Sequence, residues 1–168
     1  MKIAVTDACI FIDLHELMLS TDFFSLPFEI HSTVDVFNEL YEEHKMLMQT
    51  FIDSGKLTMH VLSDQERQQI HTISFPLSLS EADKSTLFMA ERLEATLLSS
   101  DKAVRRYAKN KSIPYHGMLW IFDQLVESKI LPAEDALKKL NQLISGNLMY
   151  QNNAELLEEA AKRMKKWL

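Results

Sequence analysis

Residues 79–108, LSEADKSTLFMAERLEATLLSSDKAVRRYA, decide the fold. Ser80 has the chemistry of a helix N-cap, and the stretch from Ser80 to Glu94 carries apolar residues at helical spacing. Four residues, Ala95 to Leu98, then form a short apolar strand, and Ser99-Ser100-Asp101 leads into a second helix running to about Asn110. A helix, a strand and another helix in so few residues is the pattern of a parallel sheet covered by helices. The N-terminal Lys2–Thr6, KIAVT, reads as another buried strand and ends directly on Asp7. In an open α/β sheet, sites form beyond the carboxyl ends of the strands. Asp7 and Asp101 therefore fall at one sheet edge by topology alone.

The rest of the chain follows the same alternation. Strands are expected at Phe28–His31, Lys56–Leu62 and Ile113–Tyr115. Helices are expected at Ile10–Met18, from Ser32 or Thr33 through VDVFNELYEEH, at Lys45–Asp53, Asp64–Ile73, Gly117–Ser128, Pro132–Ile144 and Asn153–Leu168. No internal repeat or low-complexity segment interrupts them. The expected organisation is a core domain over residues 1–130, with residues 131–168 forming helices packed on the same domain or on a partner.

Two further acids bear on the site. Asp83 shares a helical stripe with Leu87 and Ala90, an inward-leaning position uncommon for a carboxylate. Ser80-x-x-Asp83 equally has the form of a capping box with Asp in place of Glu. Glu39 follows Asp35 by one turn; Asp35 suits the positive end of the helix dipole, and Glu39 taken alone fits a solvated face as well as a site.

Together these residues resemble the PIN-domain family, and in particular the bacterial VapC-type toxin nucleases. The resemblance rests on IAVTDACIFIDL, on Asn38-Glu39-Leu40, on residues 79–108 and on the trailing IPYHGMLWIFDQLV, and it covers roughly residues 2–130. It implies a three-layer α/β sandwich with a mostly parallel central sheet and a C-terminal helical extension. It also implies a metal-dependent ribonuclease that hydrolyses phosphodiester bonds, a toxin–antitoxin role with an antitoxin protein as partner, and a homodimer. The catalytic residues implied are Asp7, Glu39, Asp83 and Asp101. Asp7 and Asp101 would ligate a metal directly, Asp83 directly or through water, and Glu39 would ligate or orient the attacking water. The chain departs from the family at Ala8 and Cys9, where Thr or Ser often follows the first acid, and at Ser99, where Thr is usual. Many relatives carry another acid soon after the fourth; here Lys102 and Val104 follow, which leaves open a non-catalytic PIN-fold binding or scaffolding protein.

The chemistry agrees with a metal. Two carboxylates about 4 Å apart repel by about 4 kcal/mol at an effective dielectric near 20. Oxygen-only ligands suit Mg²⁺ or Mn²⁺. Ser99 can hold Asp101 through its hydroxyl or simply end the strand. His116 can face the site, although a structural histidine fits its position too. Arg105 and Arg106 belong to a basic run that either contacts nucleic acid or forms a solvated helix face, and Lys162, Arg163, Lys165 and Lys166 form a second such run. The remaining histidines lack zinc-ligand spacing. Cys9 reads as a small buried residue.

Composition sets the outer bounds. The chain has 168 residues, 46% hydrophobic and 25% charged, with only 3 Gly and 4 Pro, which suits a globular domain without long linkers. A formal net charge of -6 argues mildly against a nucleic-acid binder. No apolar run approaches the roughly 20 residues of a membrane helix. The lone Cys9 excludes an internal disulfide and fits a reducing, cytoplasmic setting.

Overall fold

The computed structural model describes residues 2–168. Its elements, in chain order, are β1 (Lys2–Thr6), α1 (Ala8–Glu16), α2 (Ser20–Phe24), β2 (Phe28–Thr33), α3 (Val34–Glu39), α4 (Glu42–Asp53), β3 (Leu57–His60), α5 (Asp64–Thr72), α6 (Glu81–Arg92), β4 (Thr96–Leu98), α7 (Lys102–Asn110), β5 (Tyr115–His116), α8 (Met118–Glu127), α9 (Ala133–Ser145), α10 (Leu148–Gln151) and α11 (Ala154–Trp167).

The five strands form one sheet in the order β3-β2-β1-β4-β5. Every pairing is parallel, with Val5 opposite Leu97 and Thr6 opposite Leu98. The sheet is therefore wholly parallel, not merely mostly so. Helical crossovers make this possible, because parallel strands cannot be joined by tight turns. Both sheet faces are buried: Ala4, Ile30 and Leu98 alternate along their strands with Val5 and Leu97, all nearly inaccessible. That explains why these strands read as continuous apolar runs. The architecture is the α/β sandwich implied by the sequence, a parallel sheet flanked by helices. Strand order runs outward from β1 in both directions, so the chain reverses between β1 and β4. The crevice at such a switch point is where α/β proteins place ligands.

The chain groups into two compact units. One holds the residues up to Ile12 together with Pro27–Gly117, and the other holds Asp13–Leu26 with Met118–Leu168. The first contains the whole sheet. Its core joins Val5 and Leu97 to Leu87, Met89 and Ala90 of α6, Val104, Tyr107 and Ala108 of α7, and Ile70 of α5. In the second, Arg163 of α11 grips Asp123 of α8 through Nε (2.9 Å to Oδ1) and Nη2 (2.8 Å to Oδ2). Arg163 is thus a packing contact within that unit, and the reading of its basic run as a wholly solvated face does not hold at this position.

The structure breaks the helix expected from Thr33 through His44. Thr33 does cap it, accepting from Val36 N–H. But α3 ends at Glu39, and Leu40 and Tyr41 are extended (φ -77, ψ 150 and φ -69, ψ 160). Leu40 is buried while Tyr41 is exposed, so the bend sends one side chain inward and the next outward. Glu42 and Glu43 then occupy the first turn of α4, where the helix dipole favours acids. The break leaves Glu39 as the last residue of its helix. Helices α2 and α10, of 5 and 4 residues, escape sequence patterning because they are too short to show a period.

Gly55 closes α4 at φ +78, with nothing within 4 Å of where a Cβ would lie. Its cost of substitution is therefore backbone strain alone. Gly55→Ala is expected to destabilise the protein by about 1 kcal/mol, a drop of roughly 2–4 °C in melting temperature. An unchanged melting curve would show that the turn relaxes.

Candidate active site

Asp7 is the first residue beyond β1, and its N–H donates to Leu98 O at 3.2 Å, fixing it against the end of β4. Its carboxylate is only 4% exposed. Oδ1 accepts from Cys9 Sγ at 2.9 Å and from Ile10 N at 3.3 Å. Burial pushes the Asp7 carboxyl up from the usual 3.8 to about 6; hydrogen bonds from Cys9, Ser99 and Ile10 oppose the rise, and the Asp83 charge adds to it. Cys9 is thus more than a small filler. Its thiol is half-buried and lies against the candidate ligand.

Asp83 lies in the first turn of α6. It completes a capping box: Ser80 N–H donates to Asp83 Oδ2 at 3.0 Å and Asp83 N–H donates to Ser80 Oγ at 3.1 Å. The cap is thus formed, and the Asp83 charge also acts on both Asp7 and Glu39. Helix α6 is held to β2 by the hydroxyl pair Thr33 Oγ1 and Ser85 Oγ, 2.7 Å apart and both buried. Glu39 is exposed, yet its carboxyl is raised, by partial burial first and then by Asp83; a hydrogen bond from Ser80 opposes this. Asp35, one turn earlier, is engaged otherwise. Arg67 of α5 clamps it with two bonds of 3.0 and 2.9 Å.

Asp101 caps α7, with Oδ1 accepting from Ala103 N at 2.8 Å and Val104 N at 3.0 Å. It is exposed. Its link to Asp7 passes through Ser99, which is completely buried. The Ser99 hydroxyl accepts from Asp101 N–H at 3.1 Å and hydrogen-bonds the Asp7 carboxylate. The Asp83 charge therefore acts on both Asp7 and Glu39, and Ser99 ties the Asp101 backbone amide to Asp7, while the Asp101 carboxylate itself caps α7.

The auxiliary residues sort themselves. His116 ends β5, and its imidazole is held below the usual histidine range by burial first, then by the Arg105 and Lys2 charges. Arg106 is exposed, whereas Arg105 turns onto the protein: Nη1 donates to Ser99 O at 3.0 Å and the guanidinium lies 5.0 Å from the Tyr115 ring centroid. Among the other histidines, His31 Nδ1 and His60 Nε2 meet across β2 and β3 at 2.8 Å, a cross-strand pair that no sequence spacing reveals.

This donor set fits a hard divalent cation. By donor type it is all oxygen, and a buried carboxyl that resists ionisation also feels the charge of Asp83. Comparison with known families agrees with the fold: the model of the DUF3368 family, a PIN domain, matches residues 3–166. The chain belongs to the PIN-domain family. PIN domains are in general nucleases that use divalent metals, so a nucleic acid is the coarse substrate class. The family match runs on through the helices beyond the sheet, past the roughly 130 residues over which the resemblance is legible in the sequence. None of the curated proteins matches the chain. No helix among the described residues of this PIN domain is long and apolar enough to cross a membrane.

Proposed function

We propose that this PIN domain is a cytoplasmic Mg²⁺- or Mn²⁺-dependent ribonuclease that hydrolyses phosphodiester bonds, acting as the toxin of a toxin–antitoxin pair and as a homodimer. The observation that carries the enzymatic part is Asp7, a buried carboxyl raised to about 6, with the Asp83 charge adding to the rise. Such an arrangement is costly in the empty protein and becomes favourable once a cation neutralises it. In this reading Asp7 and Asp101 ligate directly, Asp83 ligates directly or through water, and Glu39 ligates or orients the attacking water. A bound cation would activate that water and stabilise the leaving oxygen. Ser99 holds Asp7 and Asp101 in register. His116, kept neutral near the sheet edge, can donate to a phosphate oxygen, and Arg106 can steer the backbone from α7.

A non-catalytic binding module is the second reading. It is favoured by the net charge of -6 and by Lys102 and Val104 standing where many relatives place another acid. Incubation with single-stranded RNA and single-stranded DNA, with Mg²⁺, Mn²⁺ or chelator, separates the two. Metal-dependent cleavage of RNA is expected, and Asp101→Asn should slow it on the order of a hundredfold, the effect of losing about 3 kcal/mol of transition-state stabilisation. Absence of cleavage with either metal, in protein shown to be folded, would favour the binding module.

A further inference from the structure

Ser99 is held from every polar side. Its N–H donates to His116 O at 3.0 Å, its hydroxyl serves Asp7 and Asp101, and its carbonyl accepts from Arg105 Nη1 at 3.0 Å. Only the last of these is donated by a cationic side chain. Arg105 lies on α7, whose N-cap is Asp101, so the guanidinium folds back over the start of its own helix to reach the strand end. Tyr115 of β5 supports it from the side at 5.0 Å. Position 117 makes room for it. A Cβ built on Gly117 would lie 2.6 Å from Arg105 Nη1 and 3.5 Å from Ser99 O. The first is a collision and the second an ordinary contact, so any side chain at 117 must displace the guanidinium from the Ser99 carbonyl. The backbone of Gly117 is not in the left-handed region; what requires a glycine there is this close approach.

We propose that Arg105 is a positioning residue of the acidic site: admitted by the bare Gly117, it clamps the Ser99 peptide so that the Ser99 hydroxyl bridges Asp7 and Asp101. A guanidinium suits the task because its charge-assisted bond to a carbonyl is stronger than a neutral one and its plane can lie against an aromatic ring. The clamp explains why Arg105 is turned inward while Arg106 stays in water. It rests on the nuclease reading only for what the site is for; the clamp itself is a statement about Ser99.

The test is a double-mutant cycle with two readouts: the Mn²⁺ dissociation constant of the full chain, and the hydrogen-exchange rate of the Asp101 amide, which bonds Ser99 Oγ, in metal-free protein. Arg105→Ala should weaken Mn²⁺ binding about tenfold, as loss of residues supporting ligands does, and speed Asp101 exchange roughly three- to tenfold. Arg105→Lys, which retains a donor for the carbonyl, should recover part of both. Gly117→Ala should reproduce the Arg105→Ala effects in the wild-type background and add nothing in the Arg105→Ala background, since the guanidinium it would displace is already gone. Additive effects of the two substitutions, or unchanged Asp101 exchange in Arg105→Ala, would overturn the clamp. So would weaker binding of a single-stranded oligonucleotide at unchanged Mn²⁺ affinity and exchange, which would make Arg105 a substrate contact. Wild-type protein that takes up no Mn²⁺ would count against the nuclease reading, and exchange alone would then decide the clamp.

Discussion

Asp7→Asn is expected to make the metal-free protein more stable while abolishing its activity. Burial raises the Asp7 carboxyl from 3.8 to about 6. At roughly 1.4 kcal/mol per tenfold change in proton affinity, keeping Asp7 ionised at pH 8 costs the fold up to about 3 kcal/mol. A group whose folded value is raised contributes its stability fully below its unfolded value and loses it as pH rises through the folded value. For Asp7 the contribution is complete below about 3.8 and lost above about 6. Asparagine removes the charge and keeps a carbonyl oxygen to accept from Cys9 and Ile10. The gap between variant and wild type should therefore be small at pH 4 and reach roughly 6–12 °C at pH 8 in chelator. Thermal unfolding across that range measures it. A variant no more stable than wild type at pH 8 would mean that Asp7 is not strained by its surroundings, and the main physical argument for a cation would fail.

The second large effect is stabilisation by metal. A ligand that binds only the folded state adds RT ln(1 + [L]/Kd), about 2.7 kcal/mol at one hundred times Kd. For a chain of this length that is roughly 5–11 °C. Mn²⁺ or Mg²⁺ should produce such a shift in wild type and much less in Asp7→Asn. It should leave Glu42→Gln unaffected, because that side chain is 87% exposed and paired only loosely with Lys45 at 3.7 Å. The shift should also fade as pH falls through about 6, where Asp7 takes up its proton. Equal shifts in all three proteins would indicate diffuse surface binding.

What the sequence makes legible here is what topology and local chemistry determine. Lys2–Thr6 and Thr96–Leu98 are recognisable strands because both faces of the sheet are covered, and the residues that follow them must lie at one edge. Asp7 and Asp101 are legible for that reason. Asp83 is legible as a cap from Ser80, which the structure bears out, and its stripe raises the site reading that its charge on Asp7 and Glu39 keeps in play. The bend at Leu40 and Tyr41 is not legible, since neither glycine nor proline marks it; burial of Leu40 decides it, and burial is a tertiary property. The inward turn of Arg105 is hidden for a similar reason. It depends on Gly117, twelve residues away, having no side chain, and on Tyr115 lying alongside. Read from α7 alone, Arg105 and Arg106 are equivalent cations. The Cys9 contact with Asp7 could have been anticipated from the spacing, because a thiol two residues beyond a strand-end carboxylate lies within reach of it.

If Asp7, Glu39, Asp83 and Asp101 form one cation site, paramagnetic broadening by Mn²⁺ will show it. In protein labelled at the side-chain carboxyl carbons, substoichiometric Mn²⁺ broadens the signals of carboxylates near the bound ion. The expected result is early loss of Asp7, Asp83, Asp101 and Glu39 together, while Glu42, Glu134 and Glu155 persist. Broadening spread evenly over the exposed acids, or an Asp7 signal that survives while those of the others vanish, would contradict it.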